Sequence, residues 1–128
     1  MGTRSLTFVY EENKPILNMY RQFDGYTSGH GQELAEFLLS GEMVNGIPVG
    51  VDKLFFNGMG CLAAQLIVNF KKSAGGFYIY PIEPGQACWQ EYEYHVYDGI
   101  VIVKNPTEVI FEGSYEEFMS FCYDKVTE

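Results

Sequence analysis

The chain of 128 residues sets 17 Asp and Glu against 8 Lys and Arg, a formal charge of −9. That balance disfavours general DNA or RNA binding, which needs clustered cations along a phosphate-backbone footprint. With 47% hydrophobic and 20% charged residues, the composition is globular, and one α+β domain over residues 1-128 can bury its own core without disulfides or metal.

The acidity serves solubility or imitates nucleic acid towards a basic partner protein. Cys61, Cys88 and Cys122 are odd in number and widely spaced, so reduced thiols and a cytoplasmic setting are expected. The N-terminal region has no positively charged segment leading into an apolar run, which predicts no signal peptide, and no window is long enough to span a bilayer. Met1-Gly2 lacks the Ser or Thr at position 6 that myristoylation wants.

Ser5–Tyr10 is rich in β-formers, and Ile16–Phe23 resumes the pattern, predicting a hairpin. With a four-residue loop from Glu11 to Lys14, Tyr10 pairs with Pro15 and Arg4 falls opposite Arg21. Those two are the chain's only arginines. Paired across a sheet they repel unless an anion sits between them, and a slip of one residue separates them onto opposite faces.

Tyr20-Arg21-Gln22-Phe23-Asp24-Gly25-Tyr26-Thr27-Ser28-Gly29-His30-Gly31 then leads from strand through a glycine-rich turn into a helix. Its backbone N–H groups, the hydroxyls of Thr27 and Ser28, His30 and Arg21 form a candidate anion site. The spacing matches neither a Walker loop nor the dinucleotide fingerprint. The competing reading is a tight connection in which glycines supply positive φ and Ser28 caps the helix.

The apolar positions of Gly31–Leu39 predict a short amphipathic helix closed by Ser40-Gly41. Glu33 in its first turn matches the helix dipole but competes with a bound anion. Residues 42–56 read as loop or a short extended piece before the turn Asn57-Gly58-Met59-Gly60, a second candidate set of N–H donors. Cys61–Lys72 is apolar around much of its circumference and predicts the central packing helix, ended by Gly75-Gly76.

Phe77–Ile82, Glu91–Tyr97 and Ile100–Lys104 read as strands of a meander, separated by turns at Glu83–Gln86 and Asp98-Gly99. Val109–Glu112 adds a short strand, and Ser114-Tyr115-Glu116-Glu117 is a capping box opening a helix to about Tyr123. The order suits an antiparallel sheet of about five to six strands with two to three helices packed mainly on one face.

Three function classes follow. The first is a binding protein holding a small anionic, nucleotide-like ligand with Gly25, Ser28, Gly29, His30 and Gly31 on phosphate. Arg21 and Arg4 supply charge and Tyr20 or Tyr26 meets the apolar part, with Asp24, Thr27, Asn57 and Gly58 around them. The second is an enzyme using His30 as acid or base, although a lone His is more often a structural hydrogen-bonding group. The third is an acidic inhibitor of a nucleic-acid-binding factor, a host factor under the resemblance described below. No defensible metal spacing occurs and no cofactor is implied. His95 is expected to share a strand face with Glu93 and Tyr97. The tyrosines Tyr20, Tyr26, Tyr78, Tyr80, Tyr92, Tyr94 and Tyr97 offer stacking planes, core packing or a homo-oligomer interface.

The segments Met1-Gly2-Thr3-Arg4-Ser5-Leu6-Thr7, Tyr20-Arg21-Gln22, Asp24-Gly25-Tyr26, Ser28-Gly29-His30-Gly31, Asn57-Gly58, Leu62-Ala63-Ala64-Gln65-Leu66-Ile67 and Gly76–Pro81 together resemble a family of short proteins of tailed phages, their bacterial hosts and some large viruses. The resemblance covers most of the chain and brings no activity with it. Thr27 stands where relatives tend to have Pro. It implies a phage setting in host cytoplasm, where small non-enzymatic proteins often bind host components or sponge up immune signals.

Overall fold

The computed structural model describes residues 2–46, 55–82 and 90–124. The hairpin forms between β1 (Ser5–Glu11) and β2 (Lys14–Arg21). Its loop is tighter than expected: Glu11 pairs with Lys14, and Glu12 and Asn13 take φ of 49° and 70°. Positive φ at both central residues is the requirement of a two-residue type I′ turn, whose twist matches the strands it joins.

Tyr10 pairs with Pro15 as the sequence predicts, but Val9 then pairs with Leu17, so Ile16 is the extra residue of a bulge. Everything beyond it slips by one, and Ser5 rather than Arg4 faces Arg21. The expected arginine pair is therefore not formed. A bulge adds one residue to one strand, and with a side-chain period of two that is enough to send the two guanidiniums to opposite faces.

After β2 a single π-helical turn, Thr27–Gly31, runs into α1 (Gln32–Ser40). β3 (Glu42–Val44) and β4 (Phe55–Asn57) pair in parallel, two short extended pieces at the ends of the stretch for which the sequence allows loop or a short extended piece. α2 spans Met59–Phe70, two residues earlier at each end than the sequence suggests. β5 (Phe77–Ile79), β6 (Tyr92–Tyr97), β7 (Ile100–Lys104) and β8 (Val109–Ser114) lead to α3 (Tyr115–Asp124). The capping box is formed in full, with Glu117 N–H donating to Ser114 Oγ at 3.1 Å and Ser114 N–H to Glu117 Oε1 at 2.8 Å.

The main sheet has six strands in the order β5-β2-β1-β6-β7-β8, and all neighbours are antiparallel except β1 and β6. The expected meander is thus real only for β6–β8. β5 lies at the far edge against β2, so no hairpin joins it to β6; the turn expected at Glu83–Gln86 and Cys88 lie outside the described residues. Local alternation cannot distinguish pairing with the next strand from pairing with an earlier one.

One sheet face carries the core. Val9, Met19, Tyr94, Val96, Val101 and Val103 meet Leu34, Leu38, Leu62, Leu66, Phe118 and Cys122 from the three helices. Ser5, Thr7 and Arg21 share this face by strand alternation, which puts an arginine and two hydroxyls under the helices. Among the described residues no helix is long and apolar enough to cross a membrane.

Candidate functional site

Arg21 ends β2 opposite Phe77 of β5, and its guanidinium is tied on nearly every side. Nε donates to the Phe23 carbonyl at 2.7 Å, and Nη1 donates to His30 Nδ1 at 3.2 Å. Its central carbon lies 5.0 Å from the Phe77 ring centroid and 6.0 Å from that of Phe70. The remaining edge meets Glu33 of α1, with Nη1 to Oε1 at 3.0 Å and Nη2 to Oε2 at 3.5 Å. The Arg21 side chain is 11% exposed and that of Glu33 51%.

Behind the arginine, His30 is fully buried and lies 2.7 Å from Thr7 Oγ1 through Nε2. Because Arg21 can only donate, His30 Nδ1 must accept, so the proton sits on Nε2 and is donated to Thr7. Burial, reinforced by the neighbouring Arg21 charge, holds the imidazole pKa down to about 3. Thr7, His30, Arg21 and Glu33 therefore form one relay from the centre of the sheet to solvent.

The loop from Asp24 to Gly31 builds this relay rather than presenting donors to solvent. Gly25 N–H donates to Thr3 O at 2.9 Å, Gly29 N–H and Gly31 N–H to Tyr26 O at 3.0 and 3.3 Å, and His30 N–H to Asp24 O at 2.8 Å. Four of the N–H groups expected to cradle an anion are thus already taken. Positive φ falls on Asp24 (61°) and on none of these three glycines. The glycines are needed for space instead. A Cβ at Gly25 would lie 2.9 Å from Thr3 O, one at Gly29 2.6 Å from Asp24 O, and one at Gly31 2.8 Å from Cys122 Sγ. No side chain caps the π turn or α1, which removes the capping role expected of Ser28.

The other sequence candidates scatter. Thr27 is buried, Ser28 is exposed, and Tyr26 is half exposed with its hydroxyl donating to Asp24 Oδ1 at 3.2 Å. Arg4 donates from Nε to Tyr20 Oη at 3.1 Å, and Tyr20 lies on the sheet face opposite the core. Asn57 Oδ1 accepts from Gly46 N–H at 2.7 Å, and Gly58, at φ 85°, opens α2. The Arg21 cleft lies at the other end of that twelve-residue helix, about 16 Å away at 1.5 Å per residue. The two glycine-rich helix starts therefore do not share one site.

What Arg21 does share is a cavity of about 410 Å³, lined by Glu33, Glu36, Phe37 and Ser40 of α1, Asn69 and Phe70 of α2, Lys72, and Phe77 of β5. Phe37, Ser40, Asn69, Phe70, Lys72 and Phe77 gave no sequence signal as site residues, because each sits in its own helix or strand pattern and converges only through tertiary packing. A larger groove, about 620 Å³, runs past Glu91, Glu93, Lys104 and Glu108. It has no buried cation and, of the residues marked by sequence, only Tyr92 and Glu93, so the Arg21 cleft is the stronger candidate site.

A second polar relay lies on the opposite sheet face, where His95 shares a side with Glu93 and Tyr97 as strand alternation predicts. Tyr10 Oη is 2.6 Å from His95 Nδ1, and His95 Nε2 is 3.0 Å from Glu93 Oε1. The His95 ring stacks on Phe8 at 4.9 Å, and Tyr10 stacks on Tyr97 at 4.3 Å. The hydrogen bond from His95 holds the Glu93 carboxyl below its ordinary pKa against the opposing effect of burial.

Among the described residues no group of three or more His, Cys, Asp or Glu is placed to hold a metal. Cys61 and Cys122 are free thiols, and burial pushes Cys122 up to about 12. No family model matches the chain, and no curated protein or solved structure matches it significantly.

Proposed function

We propose that the protein binds and holds a small anionic, nucleotide-like molecule in the cleft between α1, α2 and β5. One observation carries this reading: a buried arginine, fixed by His30, a backbone carbonyl and two aromatic rings, turns its remaining edge to a cleft where, among the described residues, its ionic partner is a half-exposed carboxylate. Such a guanidinium is preorganised, so an incoming anion orders little and meets a ready fork. Phe37, Phe70 and Phe77 provide apolar walls, and Ser40, Asn69 and Lys72 provide polar groups at the rim.

In this reading the Gly25–Gly31 loop positions Arg21 and does not itself touch the ligand. Holding without conversion is favoured over catalysis at His30, whose two ring nitrogens are occupied by Thr7 and Arg21 and whose ring is out of solvent. The resemblance to short phage proteins adds a setting in which sequestering a nucleotide signal is useful to the encoding genome.

The test is to purify the protein from cells with and without active nucleotide-based signalling, denature it, and identify released small molecules by mass spectrometry. A stoichiometric intact nucleotide, lost in Arg21→Lys, is the expected result. An altered nucleotide would make it an enzyme, and an empty protein under both conditions would refute the reading. Lys is the informative replacement because Arg21→Ala also strips His30 and Glu33 of their partner and perturbs the fold.

A further inference from the structure

Glu33 occupies the one edge of Arg21 that a ligand can reach. Its carboxylate meets Nη1 and Nη2 together, the bidentate arrangement in which a guanidinium grips a carboxylate or phosphate. Glu36, the other carboxylate of the cleft, is engaged by the Tyr123 hydroxyl of α3, which leaves Glu33 as the group facing Arg21. Lys72, at the rim, donates to the Val68 carbonyl in the last turn of α2 at 3.1 Å and is exposed.

We infer that Glu33 is a tethered stand-in for the ligand's anion, and that the cleft takes its ligand through a terminal phosphate monoester that displaces Glu33 from Arg21. This rests on the cleft being the binding site. A carboxylate held on α1 acts at the millimolar or higher effective concentration of a short tether. A free monoanionic carboxylate offers Arg21 nothing that Glu33 does not already give. A phosphate monoester carries about −1.5 to −2 charge at pH 7 with three acceptor oxygens. It can fill the same fork, leave an oxygen for Lys72, and expel Glu33 into solvent, where its half-exposed side chain is readily hydrated. Glu33 thus sets an affinity threshold that weaker anions do not cross, while the preference for phosphate comes from its greater charge and third oxygen.

Phenyl phosphate and benzoate, a dianion and a monoanion on the same planar ring, are the probes. Binding is followed by the NMR shift of the Arg21 Nε–H in wild type, Glu33→Gln and Glu33→Asp. In wild type phenyl phosphate should bind at least about tenfold more tightly than benzoate. Removing the competing charge in Glu33→Gln should tighten both by roughly three- to tenfold and make benzoate binding measurable, with Glu33→Asp between. Equal affinities of the two probes for wild type, or no gain in Glu33→Gln, would overturn the exchange while leaving the cleft as a site. No saturable shift from either probe in any of the three proteins would overturn both.

Discussion

The buried histidine makes the most demanding prediction. His30 is neutral in the fold because its pKa is held down to about 3, whereas in the unfolded chain it returns to about 6.5. Between those values the unfolded state binds one more proton than the native state, so stability falls as pH falls. The loss begins near the unfolded pKa and continues until the folded pKa is reached. Between pH 7.5 and pH 5 the native ring stays neutral, so the magnitude depends on the unfolded chain alone. Protonation there favours unfolding by RT ln of about 33 over 1.1, or about 2 kcal/mol.

Glutamine at position 30 can accept from Arg21 and donate to Thr7 but cannot titrate. Urea unfolding followed by circular dichroism should therefore show wild type losing about 2 kcal/mol more than His30→Gln over this interval. His95 and the carboxylates are common to both proteins and cancel in the difference. The comparison is of pH slopes, so it survives whatever constant cost the substitution imposes. Equal slopes would mean that His30 is protonated in the fold or reachable by solvent, and the relay derived from the Arg21 contact would fail.

Other substitutions probe the scaffold. Tyr94 donates from Oη to the buried Gly25 carbonyl at 2.7 Å, so Tyr94→Phe leaves that acceptor unpaired and should cost about 1–3 kcal/mol in urea unfolding. The glycines should split by position. Gly25→Ala drives a Cβ into the Thr3 carbonyl and Ser5 and should lose about 1–3 kcal/mol of stability. Gly60→Ala, in the first turn of α2 with open space around it, should gain up to about 1 kcal/mol, read as a higher Tm. Ser114→Ala removes the hydroxyl that receives Glu117 N–H and should cost about 1 kcal/mol, with helix loss confined to α3 in hydrogen exchange.

Local chemistry made several elements legible without a structure. The capping box at Ser114–Glu117, the turn at Asp98-Gly99 and the apolar helix α2 are decided by interactions within a few residues, and each forms, α2 with both ends two residues earlier than the sequence suggests. The α+β class followed from element order. Arg21 and His30 stand out in the sequence because an arginine and a histidine flanking so dense a glycine loop are unusual for a plain connection, and Glu33 because it lies in the first turn of the helix that follows.

Tertiary structure decided everything that depends on distance along the chain. The bulge at Ile16 chose which arginine faces the helices, since one added residue reverses every side chain beyond it. The parallel pairing of β1 with β6 sent β5 to the far edge, where Phe77 meets Arg21. Thr7 and Tyr94, which hold His30 and Gly25 in place, lie 23 and 69 residues from their partners. The glycines of the loop, legible as small residues, turn out to be small because Thr3, Asp24 and Cys122 crowd them. A sequence displays which donors and acceptors exist, but hydrogen bonds are satisfied in three dimensions, and only packing decides whether an N–H faces a ligand or another part of the same chain.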